Sequence, residues 1–314
     1  FSQRHSVLVD YKTGAEWAPL AHLDPAQGKF WIYDSLLSEY AGLGFEYGYS
    51  MVAQDALVGW EAQYVDFVNG AQIIIDQYIV AAEDKWGQTS GLVMLLPHGH
   101  EGQGPEHSSA RIERFLDLCA EDNIQVANCS VAGQYFHLLR RQMHRDIRKP
   151  LVIFTPKSLL RAKPARSRVE DLTTGSFGEV LDDPFVSDAD AGSVQRVVLA
   201  SGKVSHDAMA RRNKEGAPVA VVRLEQLYPW PYDGLAAVLE RYPSARELVW
   251  LQEEPENMAG WNFAKGRLYE ALGDEYTIRR VSRPESGSPA TGSHAVHTQE
   301  QDAILEEAVV VSPS

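Results

Sequence analysis

An α/β protein of two units is the fold class that the sequence predicts, and three observations carry it. Apolar strand-like runs alternate with helical patterns along most of the chain, which is the mark of parallel α/β construction. Between about residues 161 and 193 the alternation dissolves into charged sequence containing Pro, Gly and Ser, which reads as a linker with one short helix. A loop rich in histidine and glycine, residues 96–111, follows a strongly apolar run, and loops at the carboxyl ends of strands are where α/β sheets place ligands.

The first clear element is a helix over residues 35–49. Gly42, Gly44 and Gly48 fall within seven residues of it, although glycine inside a helix costs roughly 0.5–1 kcal/mol relative to alanine. Close approach of another backbone explains such a pattern, so this helix is expected to pack tightly on a neighbour such as its own copy across a two-fold axis. The glycine spacing and the lack of a preceding strand do not match a dinucleotide fingerprint. Glu39 sits on the same helix; a glutamate on a buried face holds its proton more tightly and can protonate a ligand nitrogen.

An extended stretch opens at Leu57 and Val58, and residues 68–82 read as helical. Residues 91–96 form a fully buried strand, and Ser108 and Ser109 followed by Glu113 read as capping signals for a helix over 111–119. His98, His100 and His107 lie between the two, each able to donate, accept and titrate near neutral pH. A strand over 124–128, a helix over 135–143 and a strand over 151–154 complete the first unit. Strands at 196–200, 219–224, 247–252 and 277–281, with helices between them, make the second, and no internal repeat relates the two.

Composition narrows the function classes. A chain of 314 residues with 44% hydrophobic residues can bury a sizeable core in about two domains. No run approaches the ~18 apolar residues of a membrane span, so no membrane partner is expected. A formal net charge of −14 argues against nucleic acid as a partner, and the one basic run, Arg140, Arg141, His144, Arg145, Arg148 and Lys149, reads as a solvated helix end. Cys119 and Cys129 are the only cysteines, which excludes a disulfide framework and points to a reducing, cytoplasmic location. The chain opens on Phe1 without a targeting pattern and reads as part of a longer polypeptide.

Several strings together resemble one family. Ser38-Glu-Tyr-Ala-Gly-Leu-Gly-Phe-Glu-Tyr-Gly48, Trp60-Glu-Ala-Gln-Tyr-Val-Asp-Phe-Val-Asn-Gly-Ala-Gln72 and the 96–111 loop resemble the pyrimidine-binding domain of thiamine-diphosphate enzymes. With Phe1-Ser-Gln-Arg-His5, Thr155-Pro-Lys-Ser-Leu-Leu-Arg161, Trp250-Leu-Gln-Glu-Glu-Pro-Glu-Asn-Met258 and Ser288-Pro-Ala-Thr-Gly-Ser-His294, they look like the decarboxylating first component of the 2-oxoglutarate dehydrogenase complex, most of all the actinobacterial enzymes fused to a succinyltransferase domain. The resemblance implies a transketolase-like pyrimidine-binding domain over 1–161 with its amino-terminal part missing, a linker over 162–193, and a transketolase carboxyl-terminal-type α/β domain over 194–314. It implies decarboxylation of 2-oxoglutarate and transfer of the succinyl group to lipoamide in the tricarboxylic acid cycle.

The same resemblance assigns roles. Glu39 matches the glutamate facing the ring nitrogen of the cofactor's aminopyrimidine, where a proton promotes the reactive tautomer. Phe67 matches the aromatic stacked on the pyrimidine, with Tyr64 as the other choice. His107 matches a histidine facing the substrate, His98 is a weaker substrate candidate, and His100 is discarded. The family holds the diphosphate and Mg2+ with a Gly-Asp-Gly motif and a later asparagine, and Gly273-Asp274-Glu275 is the nearest string here. Metal ligands are therefore expected outside this chain, in an upstream diphosphate-binding domain, and catalysis is expected to need a homodimer and a lipoyl-bearing succinyltransferase partner. Arg141 suits the acetyl-CoA phosphates bound by some actinobacterial members, whereas Ser176, Asp233 and Gly234 depart from that pattern. Two other readings are a related thiamine-dependent 2-oxo acid dehydrogenase or transketolase, against which the long terminal motifs speak, and a non-catalytic dimerisation module.

Overall fold

The computed structural model describes residues 6–310, and the 1–5 motif lies outside the described residues. A short antiparallel hairpin, β1 (Leu8–Val9) and β2 (Glu16–Trp17), comes first. The α/β body follows with β3 (Gly59–Glu61), β4 (Val93–Pro97), β5 (Gln125–Ala127), β6 (Leu151–Thr155), β7 (Val180–Leu181), β8 (Arg196–Ala200), β9 (Val219–Leu224), β10 (Gln226–Tyr228), β11 (Glu247–Pro255) and β12 (Thr277–Arg283). These make two five-stranded sheets, ordered β10-β5-β6-β4-β3 and β12-β11-β8-β9-β7. All neighbours are parallel except β10 on β5 and β7 on β9.

Parallel strands need helices on both faces, and the sequence supplies them. Every residue of β8 and β9 is buried, as largely apolar strands in the middle of such a sheet require. Helices Glu39–Val52, Ile112–Asp117 and Ala132–His144 flank the first sheet, and Lys203–Glu215, Tyr232–Leu239, Trp261–Leu272 and His294–Val309 flank the second. Leu43, Leu96, Phe115 and Phe154 belong to the larger core, whereas Met209 and Ile304 close the far face of the second sheet.

Four expectations change on contact with the structure. The helix expected over 68–82 is broken into a 3-10 turn (Val65–Ala71), a short α segment (Gln72–Ile74), a π turn (Ile75–Ile79) and helix Ala82–Trp86. The wider turn accommodates Ile75, Ile79 and Ala82 all in the core. Ser108 and Ser109 do not cap the next helix: Ser108 Oγ donates to Gly104 O at 2.7 Å, and the helix starts after Arg111, whose φ is +58°. The expected linker 162–193 is built into the body, since it contributes β7 and since Asp183 accepts from Arg212 and from the Val221 N–H. Nor is the basic run wholly solvated. Arg141 turns inward to Glu179 (3.2 Å), Gln125 (3.1 Å) and Gln226 (2.6 Å), and burial brings its guanidinium down to about 10.

On the glycine-rich helix, one of the three glycines has a reason within this chain. A Cβ on Gly42 would stand 3.0 Å from Trp60 Nε1 and one on Gly44 would stand 3.5 Å from Ile74 Cδ1, whereas Gly48 faces open space. Side chains of this same chain, not another backbone, therefore require Gly42 to stay small. Cys119 and Cys129 are both free thiols, and burial pushes the Cys119 thiol up to about 12.

The carboxyl ends of the two sheets meet. Immediately after β4, His98 Nε2 lies 2.6 Å from Glu254 Oε1 in β11, and the His100 N–H donates to Glu253 Oε1 at 2.9 Å. Lys203 Nζ, just after β8, reaches Glu253 Oε2 at 2.8 Å. Glu225, which follows β9, accepts from the Ser130 N–H at 2.8 Å. Gly202 has φ +64°, and a Cβ there would overlap the Asn128 side chain of the first unit, so the approach of the two sheets depends on its lacking one. Burial raises the Glu253 carboxyl, but the Lys203 ammonium and the hydrogen bonds from Lys203 and the His100 N–H outweigh it and hold it at about 2.

Two outcomes follow from this packing. Gly48→Ala should raise the thermal midpoint through a helix gain of roughly 0.5–1 kcal/mol. Gly42→Ala should lower it, because displacing Trp60 costs about 1–3 kcal/mol; melting curves of the two variants check the pair. Glu253 has a folded pKa below its unfolded value of 4.5, so its stabilisation is present above pH 4.5 and is lost as pH falls toward about 2. The thermal midpoint should drop over that window. In Glu253→Gln, which breaks a buried pair at a cost of about 3–5 kcal/mol, the midpoint should be lower at neutral pH and less sensitive to acid.

Candidate functional site

The 96–111 loop does not present its three histidines alike. His98 is 3% exposed, and both ring nitrogens are engaged: Nδ1 accepts from the Ala110 N–H at 3.1 Å, which leaves the proton on Nε2, facing Glu254. His100 is also buried, with Nε2 bonded to the Pro289 carbonyl at 2.8 Å, and burial pushes its ring toward the neutral form. His107 lies in the short turn Pro105–His107 and stays half-buried.

His107 meets two aromatic residues from a separate segment. Its ring stands edge-on to Tyr64, with centroids 5.1 Å apart, and Tyr64 stands edge-on to Phe67 at 5.3 Å. Phe67 is 42% exposed, so the cluster carries an aromatic surface from the half-buried Tyr64 out to solvent. Lys157 Nζ lies 5.9 Å from the centre of the Tyr64 ring, beside the same cluster. The turn Val65–Ala71 packs on helix Glu39–Val52 on one side and on the His107 turn on the other.

Glu39 occupies the first turn of that helix, directly after the N-cap Ser38, whose Oγ accepts from the Ala41 N–H at 3.3 Å. The glutamate is half-buried rather than enclosed, and Tyr40 and Phe45 nearby are exposed. The structure thus brings Tyr64, Phe67 and His107 into one cluster, puts Glu39 on the adjoining helix, and sends His98 and His100 into the contact between the sheets.

Two partners of this arrangement escape a reading of the sequence. Arg111 Nε donates to Asp66 at 3.2 Å, and Arg111 Nη1 reaches Met258 Sδ at 3.8 Å. Glu113 Oε2 accepts from the Ala259 N–H at 2.9 Å. A charged residue of each sign in two strand-end loops is the only signal available beforehand, and it does not say that the loops touch.

His98, His100 and Glu254 place one donor atom each within 4.8 Å of one another. They do not fit magnesium, which takes oxygen ligands, and a cation at His98 Nε2 would have to displace the proton that the Ala110 bond holds there.

Comparisons with known proteins agree on the whole chain. The family model described as the pyrimidine-binding domain of transketolase matches residues 1–163, and that described as the C-terminal domain of 2-oxoglutarate dehydrogenase matches residues 166–309. The chain is 51% identical over 313 residues to the 2-oxoglutarate dehydrogenase E1 component of Cupriavidus necator, covering 98% of this chain and 33% of that protein. It is 51% identical to the multifunctional 2-oxoglutarate metabolism enzyme of Mycobacterium sp. (strain KMS), covering 98% of this chain and 25% of that one. The 2-oxoglutarate dehydrogenase E1/E2 component of Corynebacterium glutamicum is 49% identical, with 98% and 26% covered. The chain therefore spans between 25% and 33% of the length of these relatives. With its first half matching one model and its second half the other, the chain belongs to the family in which a transketolase-type pyrimidine-binding domain is followed by the 2-oxoglutarate dehydrogenase C-terminal domain.

Proposed function

We propose that this chain is the carboxyl-terminal part of a thiamine-diphosphate-dependent enzyme that decarboxylates 2-oxoglutarate and passes the succinyl group to lipoamide. The observation that carries the reading is the Tyr64, Phe67 and His107 cluster, built from two strand-end loops beside the helix that bears Glu39. In this reading residues 1–161 are the pyrimidine-binding domain, 162–193 the connection and 194–314 the transketolase carboxyl-terminal-type domain.

The residues present fit half of the cofactor. Phe67 offers an exposed ring for an aminopyrimidine to stack on, with Tyr64 supporting it edge-on. Glu39 offers a carboxyl to hold a proton at the ring nitrogen. When bound, thiamine diphosphate supplies the nucleophilic carbon and the electron sink that loss of carbon dioxide requires. His107 would hydrogen-bond the 2-oxo acid and hold it at that face, since its ring nitrogens have no protein hydrogen bond among the described residues. The diphosphate and Mg2+ would be held by the upstream domain, with oxygen ligands outside this chain.

A homodimer completes the site in this reading. Phe45, Tyr49 and Val52 lie on one face of the Glu39 helix at spacings of four and three and are exposed, with the first two rings stacked at 6.2 Å. In the same reading a lipoyl-bearing succinyltransferase takes the product, and the reaction runs in the cytoplasm. No helix among the described residues is long and apolar enough to cross a membrane.

In the full-length polypeptide, Glu39→Gln should leave the fold intact and slow proton exchange at the reactive carbon of thiamine diphosphate by orders of magnitude; exchange at the wild-type rate would refute its role. His107→Ala should lower turnover of 2-oxoglutarate by roughly ten- to a thousand-fold, with little change in cofactor affinity. Loss of thiamine diphosphate binding with turnover retained at saturating cofactor would move His107 from substrate to cofactor.

A further inference from the structure

The cluster proposed above is made of two pieces of chain that no strand pairing joins. Residues 62–71 carry Tyr64 and Phe67, residues 98–111 carry His107, and the ring contact between Tyr64 and His107 sets their spacing on one side. On the other side the single charged link among the described residues is Asp66 with Arg111, at 3.2 Å and with both side chains at least three-quarters buried. Asp66 lies in the turn Val65–Ala71, directly before Phe67. Arg111 is the residue at which the His107 loop ends and helix Ile112–Asp117 begins.

Arg111 adopts a left-handed backbone, φ +58° and ψ +59°, which an arginine does not choose by itself. Its side chain is held by Asp66 on one edge and by Met258 of the second unit on another. The Ala259 N–H next to Met258 is bonded to Glu113, so the second unit grips the same three-residue stretch twice. The guanidinium therefore connects the aromatic turn, the His107 loop and the second unit at one point.

We propose that Asp66 and Arg111 are a positioning pair: they fix the Tyr64–Phe67 turn at one spacing from His107, so that the face offered to the cofactor and the group offered to the substrate stay in register. This rests on the function proposed above. Neither residue touches the cofactor or substrate in this account, and each acts through the residues it places.

The test is a double-mutant cycle in the full-length polypeptide with Asp66→Asn, His107→Ala and both together. Asp66→Asn should lower kcat/KM for 2-oxoglutarate roughly ten- to a hundred-fold, chiefly in kcat, which is the scale of a misplacement of about 1 Å. In the His107→Ala background at saturating thiamine diphosphate, the same change should cost no more than about two-fold in kcat, because the register with His107 is already gone. Arg111→Lys, which keeps the charge and loses the fixed fork, should fall between Asp66→Asn and wild type. Calorimetric titration well below the thermal midpoint, which loss of a largely buried ion pair lowers, gives a readout apart from activity: Asp66→Asn should weaken thiamine diphosphate binding several-fold there. Independent effects in the cycle together with unchanged cofactor affinity would overturn the proposal, as would activity that merely tracks the midpoint. A wild-type protein that binds thiamine diphosphate and leaves 2-oxoglutarate intact would refute the substrate reading alone, and the titration of Asp66→Asn would still judge the pair.

Discussion

Two adjacent carboxylates at the end of the longest strand hold this molecule together. Glu253 and Glu254 are both buried, and a buried charge is tolerated only where partners surround it. Their partners come from the other sheet and from the next strand end: His98 for one, the His100 N–H and Lys203 for the other. The sheets consequently meet carboxyl end to carboxyl end, and the loops that leave those ends share one region of space. Loops of that kind carry the chemistry of α/β folds, so the placement of the candidate site descends from this contact.

The His107 loop shows how the constraint operates. It is anchored at its start by Glu253 and Glu254, and at its end by Asp66, Met258 and the Ala259 N–H. Between the anchors, Ser108 Oγ closes the turn on Gly104 O, and the Gly99 N–H closes it on Ser108 O at 2.9 Å. A loop fixed at both ends and crossed in the middle has little freedom, yet its tip keeps one imidazole half-exposed. Three histidines within ten residues thus divide between building the loop and facing outward.

The sequence discloses those parts of the fold that local chemistry decides. The β4, β6, β8 and β9 regions announce themselves because a parallel strand covered on both faces is apolar through most of its length. β10 does not, since Gln226, Leu227 and Tyr228 are three residues before a proline and acquire strand character only by pairing with β5 of the other unit. The π turn at Ile75–Ile79 is hidden for a related reason: apolar spacing reports that a helix is amphipathic, not that one turn widens. Ser108 and Ser109 mislead because a hydroxyl that caps a helix in one context closes a loop in another. At the candidate site, the resemblance of the motifs singled out Glu39, Tyr64, Phe67 and His107, whereas the Asp66 to Arg111 link depends on two loops meeting and has no local signature.

Exposure at the cluster makes a last point about completeness. Polar groups stabilise developing charge most where water is excluded, since the effective dielectric there is low. Phe67 is 42% exposed and Glu39 is half-buried, and the aromatic residues Tyr40, Phe45 and Tyr49 on the same helix also face outward. Nothing within the described residues closes over them. The side of the cluster turned to the protein is already tightly specified, by Tyr64, by the turn under Phe67 and by the pinned His107 loop. In the homodimer proposed above, this apolar-rimmed face of the Glu39 helix is the surface on which a second protein surface would dock and exclude water from the carboxyl.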